Sequence, residues 1–476
     1  MTTLTARQLA ASLGSWRTGG PAYLALADRV RLLVLDGRLA LGARLPAERE
    51  LASHLSLSRT TVTAAYAQLR DTGYLDSIRG SGSVVRLPSR AEAEAPPLET
   101  DMIDLSKATL PPVPQVADAA VRAAALLPSF LGDSGFDVVG QRMLRRALAD
   151  RFTARGLPTD PDEILVTNGA QAAIALIART ILGRGDRVLV ESPTYPHAME
   201  ALRQAGGRLE PVAVTTDDGW DAAALEQVLQ RTSPALAYLQ PDYHNPTGRS
   251  MSPELREKLV AIAARQGTTL IVDETMGELG FDLEPGQPVV PFGVHAASDG
   301  VVTVGSVGKT LWGGLRIGWI RADRDLIQRF ARARFGSDLG TPILEQLIVN
   351  ELLPDYDRIL LERRELLRTG RDHLRLLLAD RIPDWHAPNP AGGLTLWVEL
   401  GAPISSQLAL AARSEGVVIA AGPRFGIDGV FERFLRVPFS FPSQVLDDAV
   451  GGLAAAWSGV TRHPLDIGVE DLAAVV

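Results

Sequence analysis

The stretch G-S-V-G-K-T-L-W-G-G-L-R, residues 305–316, contains a lysine in a chain whose basic residues are nearly all arginines. Lys107, Lys258 and Lys309 are the only lysines among 48 Lys plus Arg. The stretch is not a phosphate-binding P-loop, because Thr303 stands where that pattern needs its first glycine. Guanidinium groups stay protonated, whereas a lysine amine can condense with a carbonyl as a Schiff base. Lys309 is therefore predicted to react with an aldehyde.

Other polar residues are suited to an aromatic aldehyde that carries a phosphate. Asp273 could pair with a protonated pyridine nitrogen, Asn245 in H-N-P-T-G could donate to a phenolic oxygen, and Tyr195 in S-P-T-Y-P-H could stack on the ring. Taken singly, each has a plainer interpretation as a cap, a turn or a packing residue. Jointly they predict pyridoxal phosphate, bound as an internal aldimine on Lys309.

The phosphate of this cofactor has candidate ligands of its own. A helix that begins directly after a strand presents free N–H groups and the positive end of its dipole to an anion. A hydroxyl and a guanidinium on either side of Lys309 could add hydrogen bonds to the same phosphate. The residues in these positions are Gly169, Ala170 and Gln171 at the helix start, Ser306, and Arg316.

Strands and helices alternate around these residues. The runs 163–167, 187–191, 236–240, 269–273 and 301–305 are strand-like, and helical stretches such as 170–182 and 253–266 separate them. This alternation predicts an α/β fold with a largely parallel sheet covered by helices on both faces. Ligands of such sheets bind beyond the carboxyl ends of the strands, where the candidate residues stand.

The first 90 residues differ in charge from the rest of the chain. They hold 12 Arg against 6 Asp plus Glu, a net charge of +6. Because the whole chain has a net charge of −8, the remaining residues carry −14. Helical spacing predicts helices at 23–36, from about Pro46, and from Ser58, which is suited to be an N-cap. A hairpin with a glycine-rich tip follows at 74–86. This pattern predicts a winged helix-turn-helix, a DNA-binding module fused to an acidic body.

The DNA-contacting residues are predicted from the polar face of the third helix. Arg59, Thr60, Thr61 and Thr63 would reach base edges and phosphates in the major groove, and Arg79 would lie at the wing tip. The plainer alternative is a three-helix scaffold with solvated arginines.

Length and composition limit the remaining possibilities. The 476 residues include no cysteine and no run of 18 apolar residues, and Met1 is not followed by a signal-peptide pattern, so a cytoplasmic protein outside the membrane is predicted. The predicted domains are a DNA-binding domain at 1–86 with its core at 21–86, a linker at 87–103, and a cofactor-binding domain at 104–476. No metal site is predicted, and His197 and His244 are interpreted as packing or rim residues.

Two segments resemble known families. Residues 23–85, with L-P-A-E-R-E-L-A, S-R-T-T-V and R-G-S-G-S-V-V in order, resemble the winged-helix domain of the GntR family of bacterial transcription regulators. Residues 103–458 resemble the fold-type I aminotransferases, and the tandem resembles the MocR subfamily of regulators. The first resemblance implies DNA contacts by Arg49, Arg59, Thr60, Thr61 and Gly80.

The second resemblance implies roles in the body. Lys309, Asp273, Asn245, Tyr195, Ser306 and Arg316 match the cofactor ligands, and Arg436 in F-L-R-V-P-F-S matches the arginine that binds a substrate carboxylate. The motif D-E-T-M departs from the family pattern, because Met276 stands where a tyrosine hydroxyl would donate to the cofactor. The resemblance to the MocR subfamily also implies a homodimer in which the DNA-binding domain of each chain reaches over the cofactor-binding domain of the other.

The functional prediction is a transcription regulator that binds double-stranded operator DNA. Pyridoxal phosphate or an amino compound would be its effector. Two alternatives remain open, namely a working aminotransferase that has kept a DNA-binding appendage, and a cofactor-free regulator that uses the body only for dimerisation.

Overall fold

The computed structural model describes residues 3–14, 16, 21–35, 38–40, 42–78, 82–86, 102–132, 134–282, 289–296, 300–427 and 429–461. Within these ranges the helices, numbered in chain order, are α1 (Ala6–Leu13), α2 (Ala22–Leu35), α3 (Glu48–His54), α4 (Arg59–Asp71), α5 (Gln115–Leu126), α6 (Arg142–Ala154), α7 (Ala170–Ile181), α8 (Pro196–Gln204), α9 (Ala222–Thr232), α10 (Pro253–Gln266), α11 (Arg324–Arg334), α12 (Ile343–Leu352), α13 (Tyr356–Arg381), α14 (Ser405–Ser414) and α15 (Ser443–Thr461). The strands are β1 (Leu75–Ile78), β2 (Gly82–Val85), β3 (Ile103–Asp104), β4 (Ile164–Thr167), β5 (Arg187–Ser192), β6 (Arg208–Thr215), β7 (Gly219–Trp220), β8 (Leu236–Leu239), β9 (Thr269–Asp273), β10 (Val301–Ser306), β11 (Gly318–Arg321), β12 (Thr395–Glu399), β13 (Val417–Val418), β14 (Ala420–Ala421) and β15 (Phe434–Pro438).

The helices α1 to α4 and the antiparallel hairpin β1–β2 form the head, around one apolar core. The predicted cap of α4 is confirmed, because the Ser58 hydroxyl accepts a hydrogen bond from the Thr61 backbone N–H at 3.1 Å. Helix α1 was not predicted. Its Leu9 and Leu13 are fully buried, and Thr5 and Gln8 form a capping box at its start, which was the available signal.

The body contains the predicted, largely parallel sheet, in the strand order β4-β11-β10-β9-β8-β5-β6-β7. The neighbours from β10 to β6 are parallel, while β11 is antiparallel to β10 and β4, and β7 is antiparallel to β6. Separate apolar clusters cover the two faces of the sheet. The carboxyl ends of β5, β8, β9 and β10 therefore meet at one edge.

A smaller antiparallel sheet, β12-β15-β14, lies in the C-terminal part of the body. It packs with α13, α14 and α15, whose apolar faces join the largest core cluster. Residues 87–101 of the predicted linker lie outside the described residues. Ile103, the last residue of that predicted linker, begins β3, which pairs with β13.

The head contacts the body through a nearly buried ion pair. Arg29 of α2 lies 2.8 Å from a carboxylate oxygen of Glu432, and the two side chains are 9% and 21% exposed. Glu432 also accepts hydrogen bonds from the backbone N–H and the hydroxyl of Ser406, at 3.0 and 2.8 Å. Glu432 lies in the turn just before β15, so the head is attached directly beside the smaller sheet. In the part of the chain that the structure describes, no helix has the length and apolar character needed to span a bilayer.

Candidate functional site

Lys309 lies three residues beyond the end of β10, at the carboxyl edge of the large sheet. Its Nζ donates a hydrogen bond to the carbonyl oxygen of Ala108 at 2.6 Å. Burial, and then the charge of Arg436, lowers the pKa of Lys309 to about 8, although Asp273 opposes the shift. A large fraction of the amine is thus neutral near pH 8, and the neutral amine is the form that attacks a carbonyl.

Asp273 ends β9 and is 5% exposed. Its carboxylate accepts hydrogen bonds from the Tyr238 hydroxyl at 2.7 Å and from the Thr275 backbone N–H at 3.0 Å. Burial raises the pKa of Asp273, and a cation beside it, such as a protonated pyridine nitrogen, would favour the charged form. Sequence reasoning missed Tyr238, although a tyrosine inside a buried strand must find a partner for its hydroxyl.

Asn245 follows β8 in a buried loop. Its Oδ1 has no hydrogen-bond partner within the described residues, which is unusual for a buried amide and points to a ligand. The buried Glu191 contacts this loop at two points. Its carboxylate accepts a hydrogen bond from the Gln240 backbone N–H at 2.9 Å and lies 3.3 Å from His244 Nε2. His244 is therefore a packed residue behind the site, as the sequence predicts.

Tyr195 directly precedes α8, and its hydroxyl lies 3.1 Å from Nδ1 of His197. Burial, followed by the charge of Asp273, raises the pKa of Tyr195 to about 12, so the phenol stays neutral. His197 is exposed at the rim of the site. The structure thus brings Tyr195 close enough to Asp273, the predicted partner of the ring nitrogen, for that carboxylate to act on the pKa of the phenol.

The predicted phosphate ligands divide into two groups. Gly169 caps α7 with φ +83°, and a Cβ there would lie 2.7 Å from Arg316 Nη2, so only glycine lets the guanidinium approach the helix start. Ala170 is the first residue of α7. The side chains of Ser306, Gln171 and Arg316 already donate to backbone carbonyl oxygens. The Ser306 hydroxyl donates to Ile317 O at 3.0 Å, the Gln171 amide to His197 O at 2.8 Å, and Arg316 Nη2 to Asn168 O at 2.9 Å.

Arg436 of β15 is 7% exposed and has no acidic partner within the described residues. One of its terminal nitrogens donates to the carbonyl oxygen of Ser106, its Nε is buried without a partner there, and its guanidinium lies 4.9 Å from the ring centre of Phe425. Burial, and then the charge of Arg424, lowers the pKa of Arg436 to about 10. A buried guanidinium without a counter-ion is suited to bind a ligand carboxylate.

The candidate DNA surface lies at the first turn of α4. Arg59 and Thr60 are exposed there, and Arg49 is exposed on α3. Thr61 is half-buried, with its hydroxyl 2.7 Å from that of Ser58, while the Thr63 hydroxyl donates to Glu48 at 2.7 Å. Arg79 and Gly80 lie outside the described residues. Arg59, Thr60 and Thr61 thus form the polar first turn of α4, while the hydroxyl of Thr63 is engaged inside the head.

Comparison with known proteins agrees with both halves of this description. The family described as "Bacterial regulatory proteins, gntR family" matches residues 22–85. Over 89% of this chain and 92% of the relative, the sequence is 28% identical to the uncharacterized HTH-type transcriptional regulator YisV of Bacillus subtilis (strain 168). It is also 32% identical to a 2-aminoadipate transaminase of Thermus thermophilus, over 61% of this chain and 73% of that enzyme.

Among solved structures, the fold is similar to LysN, an α-aminoadipate aminotransferase from Thermus thermophilus complexed with N-(5'-phosphopyridoxyl)-L-leucine. The TM-score is 0.69 at 28% identity, with 77% of this chain and 94% of LysN covered. A DNA-binding head joined to such a body defines a GntR-type transcription regulator with an aminotransferase-like domain. The chain belongs to the aminotransferase class I and II family, whose model matches residues 101–453, and its regulator relatives are of the MocR type.

Pyridoxal phosphate is the cofactor of this family fold, and the residues present fit it. The buried side chain of Asn245 carries an amide N–H group that would donate to a phenolic oxygen, and Asp273 is a buried carboxylate whose raised pKa a neighbouring cation would reverse. Gly169 leaves room for the Arg316 guanidinium where a Cβ would collide with it. These features correspond to the phenolic oxygen, the ring nitrogen and the phosphate of the cofactor.

Proposed function

We propose that this regulator senses pyridoxal phosphate, or an amino compound that reacts with it, and changes its affinity for operator DNA accordingly. The cofactor would supply an aldehyde for Lys309 and an electron-accepting ring. Asp273 would hold the ring nitrogen, Asn245 the phenolic oxygen and Tyr195 the face of the ring. The phosphate would be held by the start of α7 (Gly169, Ala170 and Gln171) together with Ser306 and Arg316. Arg436 would hold the carboxylate of the effector.

The observation that carries this proposal is the position of the head–body contact. Glu432, which pairs with Arg29 of the head at 2.8 Å, precedes β15 by two residues, and β15 contains Arg436. A carboxylate bound by Arg436 would therefore act on the strand beside the turn that holds the head. Such a ligand shifts DNA affinity only to the extent that it favours one head–body arrangement over another.

We also propose that the protein is a homodimer that binds paired half-sites in the cytoplasm, where operator DNA lies. Exposed apolar side chains support dimerisation. Leu131, Phe136 and Phe335 are 72%, 70% and 63% exposed. The two segments that carry these side chains meet where Gly340 packs on the backbone of Asp137. Where such side chains lie together they mark an association surface, and the two heads of a dimer would require two half-sites.

The test combines spectroscopy with DNA binding. We expect pyridoxal phosphate to produce a visible absorbance band, and borohydride reduction to label Lys309. Lys309→Ala should abolish both the band and the effect of the cofactor on operator affinity. Lys258→Ala, which removes an exposed lysine paired with Glu226, is the matched control and should retain both. Labelling confined to Lys107 or Lys258 would contradict the proposal.

Turnover as an aminotransferase is the second candidate function. It is favoured by the pKa of Lys309, about 8, by Arg436, which has no acidic partner within the described residues, and by the similarity to a 2-aminoadipate transaminase. Against it, Met276 is buried near the site and offers no hydroxyl. Mixing the cofactor-loaded protein with amino acids and a keto acid separates the two functions, because sustained formation of a new keto acid would identify a catalyst.

A further inference from the structure

A cavity of about 660 Å³ lies between the head and the body, beside the candidate cofactor site. On the head side it is lined by Ser12 of α1 and by Arg38. On the body side it is lined by the first turn of α8 with His197, by Arg203 further along α8, and by Arg424. The cavity therefore exists only where the two domains meet.

Arginine side chains give the lining of this cavity a positive charge. Among the described residues that line the cavity, Arg38, Arg203 and Arg424 are accompanied by one acid, Glu200, whose carboxylate accepts a hydrogen bond from the Gln204 amide at 2.7 Å. Within the described residues, the side chains of Arg203 and Arg424 form no ion pair or hydrogen bond. Guanidinium groups bind carboxylates and phosphates through paired hydrogen bonds, and the positive end of α8 favours an anion as well.

Two residues of the cavity lining connect it to the cofactor site. His197 lines the cavity, and its Nδ1 lies 3.1 Å from the hydroxyl of Tyr195. Arg424 precedes Phe425, whose ring is 4.9 Å from the Arg436 guanidinium and whose carbonyl oxygen accepts from Thr194 N at 2.8 Å. Burial first, and then the charges of Arg424, Arg436 and Lys309, lowers the pKa of His197, so the shared region is electropositive.

We propose that this cavity binds an anionic group, a carboxylate or a phosphate, which is held by Arg203 and Arg424 of the body and faces Arg38 of the head. The group is either the distal acid of an amino compound whose amino end lies at Lys309, or a separate anion. The first source rests on the proposed function and the second does not. In both cases one ligand contacts both domains, and its binding stabilises the head on the body.

The first experiment compares glutamate with glutamine, which differ only in the distal carboxylate. Each is titrated into the cofactor-loaded protein, and the change in the visible absorbance is followed. A distal-acid site predicts that glutamate binds about tenfold more tightly than glutamine, since hydrogen bonds to a charged group contribute that much. Arg424→Gln should remove the preference for glutamate without changing the affinity for glutamine, and Arg231→Gln, an exposed arginine on α9, should leave both unchanged.

The second experiment titrates inorganic phosphate and follows the thermal unfolding midpoint. A separate-anion site predicts that phosphate raises the midpoint of the wild-type protein but not that of the Arg203→Gln/Arg424→Gln double variant. The Arg231→Gln protein again serves as the control. Because this readout does not need the cofactor, the absence of a visible band would contradict the proposed function and leave the cavity site testable. Equal binding of glutamate and glutamine, with phosphate stabilisation unaffected in the double variant, would overturn the inference.

Discussion

The head and the body both depend on arginine, but in opposite environments. In the head, Arg49 and Arg59 are exposed and can meet a phosphate backbone without losing much hydration. In the body, Arg436 is 7% exposed and lacks a counter-ion within the described residues. A guanidinium at the surface attracts any anion in a salt-dependent way, whereas a buried one is stabilised only by a ligand that fits around it.

The body can respond to a ligand directly, whereas the head responds through the body. The body site holds Lys309, Asp273 and Arg436, groups whose pKa values burial and neighbouring charges displace. The head can sense such a change through its contacts with the body, which include the pair of Arg29 and Glu432. We therefore expect substitutions in the body to alter ligand binding strongly, and substitutions on the DNA surface to alter operator affinity more modestly.

The largest effect is expected for Asp273→Asn. A neutral amide cannot pair with a protonated ring nitrogen, and loss of one partner of a buried charge pair costs at least about 2 kcal/mol, or roughly thirtyfold in affinity. The dissociation constant for pyridoxal phosphate, measured by absorbance titration, should rise accordingly. Asp150→Asn, which changes an exposed acid on α6, is the control, and equal behaviour of the two variants would contradict the role of Asp273.

A comparable but smaller change is expected for Arg29→Gln. The substitution leaves Glu432, 21% exposed, without its cation, at a cost of about 2 kcal/mol or less after allowance for partial exposure. Amides of α1 and α2 should then exchange with deuterium up to roughly thirtyfold faster. Lys258→Gln breaks an exposed ion pair instead and should leave exchange unchanged. Unaltered exchange in Arg29→Gln would show that the pair does not hold the head.

The rate at which pyridoxal phosphate attaches to Lys309 should depend on pH. The pKa of Lys309 is lowered from 10.5 to about 8, and only the neutral amine reacts, so the rate should be highest above pH 8. Below that value it should fall about tenfold per pH unit, because the neutral fraction does. Stopped-flow absorbance between pH 6 and 9 tests this, and a rate still rising steeply at pH 9 would contradict the shift.

The smallest effect is expected on the DNA surface. Arg59→Gln should weaken operator binding by about 1 kcal/mol, roughly fivefold, and reduce the salt dependence by about one ion. Fluorescence anisotropy at several salt concentrations measures both quantities. Arg231→Gln, on the body, should bind as the wild type does. If Arg59→Gln changed the affinity for the cofactor instead, the assignment of exposed head arginines to DNA and of the buried Arg436 to a ligand would be contradicted.

Local signals in the sequence were sufficient for most individual elements. The Ser58 cap, the strands β4, β5, β8, β9 and β10, and the helices α7 and α10 all follow from periodicity and turn chemistry, which act over a few residues. The polar residues at the strand ends could be named for the same reason, because parallel strands bring their carboxyl ends to one edge. Helix α1 was not predicted, although the capping box of Thr5 and Gln8 at its start is a local signal.

Contacts between distant residues could not be predicted in this way. The hydroxyl of Tyr238 meets Asp273 across two neighbouring strands, and Glu432 meets Arg29 across 403 positions of the chain. Arg424 and Arg203 face one cavity from separate elements. Neither partner in such a pair carries a sequence signal that names the other.

The sequence by itself determined which chemistry was available: a lysine amine in an arginine-rich chain, a strand-end aspartate, and a polar first turn on a DNA-directed helix. Residue type and local spacing are enough for that. Only the tertiary structure decided the electrostatics and the connections, from the pKa of about 8 at Lys309 to the cavity between head and body. Those properties depend on burial and on charges that folding brings together, and neither exists in the extended chain.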